Sequence, residues 1–261
     1  MFPFIDNLDE FYHAANYAAD AELTLPCHGV HVSIQRMQRT RGIIRAHTIS
    51  PGGKPALQIE VDPVSIPAPG QPLLAYLPGS NAPLRTALFP SRIESHQFTS
   101  VMIPSAAWQI GVELDLLGPV GHGFSPPPDS KRWVLIALDL PFDSLLPLVD
   151  TAIERDAAIA VYSDGALPDL PAQVEIATTA DNLLEWADYI AMAIHSSLIP
   201  GISSYLGRKP EITPTAETEL LTDLSIPCGL GVCGACGLKT REGWKSACEE
   251  GPVYKAKDWV W

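Results

Sequence analysis

The sequence predicts a small antiparallel β barrel, then a small parallel α/β unit, then a cysteine-bearing tail, and three observations carry this reading. Between about Cys27 and Phe124 the chain is a series of short apolar or alternating runs separated by Pro/Gly clusters, the pattern of a barrel or sandwich. Near Trp133 the runs become continuously apolar and alternate with helical periodicity, as expected of parallel strands buried on both faces. Beyond about Arg208 that alternation stops, and the tail holds four of the five cysteines. The size agrees, since 261 residues accommodate two small domains and an appendage at roughly 100 to 200 residues per domain. Twenty-five residues are Pro, about twice the usual share of about 5%, which favours loops and strands over long helices.

Taken in chain order, residues 1–20 place Phe4, Leu8, Phe11, Ala15 and Ala19 at three- and four-residue intervals, the spacing of one short, accessory amphipathic helix. The barrel is expected over 21–127, its strands being HVSI, GIIRAHTI, ALQIEV, PLLAYL, QFTSVMI and VELDLL, with SPGGKP and IPAPGQP as punctuation. The Pro-rich SPPPDSK at 125–131 fits neither helix nor strand and reads as a linker. Over 131–207, WVLIAL, the helical SLLPLVDTAIERD and the second apolar run AAIAVYSD form a β-α-β unit. QVEIAT, a helical stretch near Asn182 to Trp186, DYIAMAI and a short helix at Ile202 to Leu206 extend it. The segment PEITPTAETELLTD is polar and leads into the tail, 215–261.

Composition excludes several functions. A formal charge of −13 opposes nucleic acid and anionic membrane surfaces, which attract Lys/Arg clusters. A membrane span needs about 18 apolar residues, and the nearest candidate, Leu183 to Ile194, is interrupted by Glu185 and Asp188. The first ten residues, MFPFIDNLDE, are acidic where a secretory signal is basic and then apolar. The expected compartment is therefore the cytoplasm, where thiols stay reduced and clustered cysteines mean metal binding or catalysis. The seven His are scattered, and none joins a Ser or Cys in a hydrolase-like arrangement.

The tail carries the chemistry. Cys228, Cys233, Cys236 and Cys248 are spaced C-x4-C-x2-C-x11-C, and the first part of that spacing is the plant-type 2Fe-2S run. Four thiolates must converge on two irons while backbone amides point at the sulfurs, which a loop achieves only where side chains do not obstruct it. Gly229, Gly231, Gly234 and Gly237 supply that freedom. Cys248 is expected to return from a hairpin that turns at Arg241-Glu-Gly243-Trp. A four-cysteine structural zinc site is one alternative, and disulfides or unrelated buried thiols are the other. Cys27, beside His28, reads as a small core residue.

This order of parts resembles the electron-transfer subunits of type B dihydroorotate dehydrogenase, within the ferredoxin-reductase superfamily. The motifs are Cys228-Gly-Leu-Gly-Val-Cys233-Gly-Ala-Cys236, the ending Cys248-Glu-Glu-Gly251-Pro252-Val253-Tyr254, and Gly118-Pro119-Val-Gly121-His-Gly123-Phe124, which is similar to the stretch closing that family's barrel. The resemblance implies a ferredoxin-reductase-like barrel of the FAD-binding type, with FAD between barrel and α/β domain. It also implies a heteromeric partner: a flavin-containing dihydroorotate dehydrogenase catalytic subunit or another redox protein, docked beside the 228–236 loop. By it Arg85, Gly118, Gly121 and Gly123 are candidate flavin contacts, although Arg85 could equally be a surface residue beside a strand.

The match departs from the family at the nucleotide sites. Leu88 stands where the flavin-binding strand has a hydroxyl, and Met102-Ile-Pro104-Ser105-Ala-Ala-Trp108 lacks the Gly of the phosphate-gripping segment. After the first α/β strand, Ala137-Leu138-Asp139-Leu140-Pro141-Phe142-Asp143 has no Gly and two carboxylates where a dinucleotide would approach. Ala191-Met192-Ala193-Ile194-His195 occupies the place of the family's C-G-P motif. The expectation is an electron-transfer subunit that keeps the cluster and has lost direct NAD(P)H oxidation; the alternatives are a complete FAD/NADH oxidoreductase subunit and a zinc-bearing structural one.

Overall fold

The computed structural model describes residues 38–102, 106–180, 183–201 and 216–259. The expected helix over 1–20, the HVSI run, Cys27 and the helix at Ile202 to Leu206 lie outside the described residues.

The first sheet contains β1 (Arg39–Ile49), β2 (Pro55–Val61), β3 (Leu73–Tyr76), β4 (Thr86–Leu88), β5 (Pro90–Ile93), β6 (Gln97–Val101) and β7 (Glu113–Leu117). Alternation along the strands builds its core: Leu57, Ile59 and Val61 of β2 face inward, as do Leu114 and Leu116 of β7, the two-residue period of a pleated strand. They meet Ile44, Leu73, Leu88 and Phe98. All pairings are antiparallel, in the order β4-β3-β7-β1-β2-β6-β5. The two ends of that order, β4 and β5, are separated in the chain by Phe89 alone. A strip whose ends are joined by one residue must curl back on itself, and this gives the barrel. β5 was not among the expected runs, because Pro90 and Arg92 break its apolar pattern.

The second sheet has the order β10-β9-β8-β11-β12-β15. It is formed by β8 (Arg132–Leu138), β9 (Ala158–Ser163), β10 (Val174–Ile176), β11 (Tyr189–Ile194), β12 (Glu217–Thr222) and β15 (Val253–Lys255). Helix α1 (Leu146–Glu154) crosses between β8 and β9, with Pro147 in its first turn, where no amide is needed. β8 is buried on both faces. Trp133, Leu135 and Ala137 pack with Phe142, Leu145, Leu148 and Val149, while Val134, Ile136 and Leu138 pack with Ile190, Met192, Tyr254 and Trp259. Helix α2 is the single turn Leu183–Trp186. Among the described residues no helix is long and apolar enough to cross a membrane.

One expectation is corrected here. Residues 217–222, read as part of a polar segment, form β12, paired in parallel with β11 from Tyr189↔Glu217 to Ile194↔Thr222. The polar residue that hid this strand is Glu219, which is buried and fully partnered. Its carboxylate accepts the Ser125 amide at 2.8 Å, the Ser125 hydroxyl at 2.6 Å and the Tyr189 phenol at 2.6 Å. A buried carboxylate is tolerated when such donors surround it.

β15 then pairs antiparallel with β12, Leu221 opposite Val253. The cysteine segment therefore leaves the α/β sheet from β12 and returns to it through β15. Between them lies a two-stranded hairpin, β13 (Gly237–Thr240) and β14 (Gly243–Ser246), joined by Arg241 and Glu242 at the expected turn.

Candidate metal centre

The cysteine loop begins at buried Ile226 and doubles back within a few residues. Gly229, Gly231 and Gly234 all take positive φ, whereas Gly237 does not and opens β13. Gly231 shows why the residue type matters. Its φ is +68°, a left-handed conformation that favours Gly, and a Cβ there would also push aside the Glu249 carboxylate where the loop passes beside the Cys248 turn. That passage aims amides at sulfur: Leu230 N–H donates to Cys228 Sγ at 3.3 Å, and Gly231 N–H donates to Cys248 Sγ at 3.2 Å.

The four thiols fall into two pairs. Cys236 and Cys248 are buried, with sulfurs 3.5 Å apart, packed among Leu74, Val120, Ile226 and Ala247. Cys228 is half-buried and Cys233 is exposed. Among the described residues no three His, Cys, Asp or Glu side chains surround a single metal-ion position.

Electrostatics sharpen the contrast between the pairs. Burial would push the Cys228 thiol up, but the amides of Leu230, Cys233 and Val232 and the Cys233 thiol outweigh it and hold it below its ordinary value. The Ala235 amide lowers Cys233, yet the Cys228 thiol and burial together leave it raised. Burial and then the Cys236 thiol push Cys248 up to about 12. Crowded thiols of this kind release their protons when a metal cation binds.

The candidate flavin residues are engaged within the chain. Arg85 is not a free surface residue: its guanidinium donates to the Asp115 carboxylate and the Asp115 carbonyl, each at 2.9 Å, and to the Leu74 carbonyl at 3.4 Å. Gly118, at φ +128°, donates its amide to Gln38. Gly121 faces the carbonyls of Gly251 and Ala247, and Gly123 faces that of Pro69. The Gly/Pro loop 118–124 thus seats the cysteine tail on the barrel, with the His122 amide donating to the Gly251 carbonyl and His122 bridging Pro252.

Arg39 also binds Asp115, at 2.9 and 2.6 Å. Burial acts to raise this carboxyl, but the hydrogen bonds from Arg39 and Arg85 outweigh it and hold it below the usual range. The resulting stability is present above the unfolded carboxylate value of about 3.9 and is lost as pH falls through the lower folded value. Asp115→Asn is expected to cost about 2 kcal/mol at neutral pH. Its deficit against the parent should shrink toward zero in urea titrations taken down to about pH 2; a pH-independent deficit would contradict this account.

At the end of β8 the loop carries carboxylates where a dinucleotide fold offers free amides. Asp139 adopts φ +52°, and its amide donates to both oxygens of Asp164 at 3.0 and 3.1 Å. Asp143 is buried, beside Gly52, with Oδ1 unpartnered among the described residues. The Asp139 amide is thus occupied by an anion of the protein itself.

Sequence reasoning did not find the roles of Gly251, Ala247 and Tyr254, which shape the seam beside Cys248. The available signal was the second Gly-Pro pair, Gly251-Pro252, matching Gly118-Pro119; the structure places the loops that carry them against each other.

Comparisons with known proteins agree with this geometry. Residues 225–259 match the model of the iron-sulfur cluster binding domain of dihydroorotate dehydrogenase B. The chain is similar to electron transfer subunits of dihydroorotate dehydrogenase B (NAD(+)). It is 34% identical to that of Streptococcus mutans over 85 residues, covering 31% of this chain and 30% of that one. It is 24% identical to that of Clostridium perfringens over 166 residues, covering 55% and 65%, and 27% identical to that of Desulforamulus reducens over 179 residues, covering 58% and 67%. The chain thus spans between about a third and two thirds of the length of these curated relatives. Among solved structures it superposes on a chain of the NADH-dependent reduced ferredoxin-NADP oxidoreductase with a TM-score of 0.63 at 15% identity, covering 84% of this chain and 90% of that one. The fold is ferredoxin-reductase-like: an antiparallel barrel, a parallel α/β sheet and a C-terminal cysteine loop.

Proposed function

We propose that this chain is an electron-transfer subunit in which Cys228, Cys233, Cys236 and Cys248 hold a 2Fe-2S cluster. One observation carries the reading: the four thiols stand as a buried inner pair, Cys236 and Cys248 with sulfurs 3.5 Å apart, and a more exposed outer pair, Cys228 and Cys233, on a loop whose amides already point at sulfur. Two pairs suit two irons, whereas a single zinc ion needs four ligands about one point. When bound, the cluster supplies reversible one-electron chemistry. The chain's own part is to fix the four sulfurs, direct the amides of Leu230 and Gly231 at them, and shield the inner pair with Leu74, Val120 and Ile226.

The outer pair faces the surface. Cys233 is exposed beside Val232, which is 68% exposed, so a redox partner approaches there. The similarity to dihydroorotate dehydrogenase subunits makes a flavin-containing catalytic subunit the proposed partner, in a hetero-oligomer. Arg85 and loop 118–124 are occupied internally, so in this reading the flavin that exchanges electrons is carried by the partner. The occupied Asp139 amide supports the absence of a nicotinamide site after β8. The cytoplasm, which keeps thiols reduced, is the proposed compartment.

The test is the visible spectrum of protein purified without oxygen, with iron and acid-labile sulfide analyses. About two irons and two sulfides per chain are expected, dithionite should bleach the spectrum, and NADH alone should not. Zinc without sulfide would remove the proposal. Stoichiometric flavin reduced by NADH would establish a complete flavoenzyme instead.

A further inference from the structure

Tyr254, on β15, is 3% exposed, and its hydroxyl has no hydrogen-bond partner among the described residues. Buried hydroxyls are nearly always partnered, so this one needs an explanation. Its position is tightly held. The register Leu220↔Tyr254 ties the backbone to β12, and Trp259 packs edge-on against the ring, centroids 5.7 Å apart at 90°. On the other side, an added Cβ at Gly251 would lie 2.6 Å from the phenol oxygen. Gly251 closes the turn that starts at Ser246 and contains Cys248, so the phenol lies against the inner end of the cysteine lobe. Burial keeps it in its neutral O–H form.

Resting on the cluster reading above, we propose that Tyr254 is a positioning residue for the redox centre, its phenol donating an O–H···S hydrogen bond to a sulfur that the bound cluster brings within reach beside the Cys248 turn, since no described residue accepts it. A donor to sulfur favours the more negatively charged, reduced form and so raises the reduction potential. Leu230 and Gly231 supply amide donors to Cys228 and Cys248. Tyr254 adds a side-chain donor, and a side chain can be altered without touching the loop.

The experiment uses the full chain carrying its cluster and measures the midpoint potential by spectroelectrochemical titration. Tyr254→Phe should shift the one-electron equilibrium toward the oxidised form by about tenfold, about 59 mV lower, with iron, sulfide and visible absorbance retained. Incorporating 3-fluorotyrosine at 254 keeps the shape and makes the phenol a stronger donor, so the potential should rise. Should the Phe variant not fold, the fluorinated protein alone decides. An intact cluster with an unmoved potential overturns the Tyr254 proposal and leaves the cluster standing. A parent chain without iron and sulfide overturns both.

Discussion

Cys248→Ser is expected to empty the metal centre, lowering iron from about two per chain to near none, and to destabilise the fold as well. Serine is a harder, less acidic ligand than cysteine and does not hold iron-sulfur clusters of this type well. Cys248 also lies in the apolar nest of Leu74, Val120, Ile226 and Ala247, where a hydroxyl must be desolvated, at about 1–3 kcal/mol. Cys233→Ser provides the contrast. That side chain is exposed, so the cluster should be lost while urea denaturation of the metal-free protein is unchanged. Iron analysis and denaturation of both variants, side by side, check this. A Cys248→Ser protein that keeps its visible spectrum would show that the ligand set is wrong.

Gly121→Ala should be the most damaging added methyl group among the described glycines. At φ +64° its Cβ would overlap the backbone carbonyls of Gly251 and Ala247, and backbone, unlike a flexible side chain, cannot swing aside. The cost of parting the barrel loop from the cysteine turn, plus left-handed strain, is about 4 kcal/mol. That is about 10 °C in melting temperature for a chain of this size. Gly53→Ala is the control: its φ is +74° but nothing lies within 4 Å of the added methyl, so only the strain of about 1 kcal/mol remains. If the two variants melt together, loop 118–124 does not seat the tail.

The barrel, the β-α-β unit and the cysteine spacing were legible because each depends on local pattern. Leu57, Ile59 and Val61 alternate, Trp133 to Leu138 run unbroken, and the hairpin turn fell at Arg241 and Glu242 as expected. What escaped depends on distant partners. Glu219 made β12 look polar, and only Ser125 and Tyr189, brought in from elsewhere in the chain, explain its burial. Arg85 was weighed between flavin contact and surface residue, and no local pattern showed that Asp115, thirty residues away, holds its guanidinium. The glycines of loop 118–124 were visible as a motif, but the crowding at Gly121 comes from Gly251 and Ala247, which no local window contains.

The excursion that bears the cysteines starts and finishes on neighbouring strands, Leu221 lying opposite Val253. Its two ends are therefore already side by side, at the spacing of adjacent strands, about 5 Å. Topologically it is a removable cassette: replacing everything between β12 and β15 by a tight reverse turn would leave the strand order of the α/β sheet unaltered, with the barrel seam as its remaining anchor. A parallel sheet that ends in such a hairpin-like edge can acquire, lose or exchange a redox module without redesign of its interior.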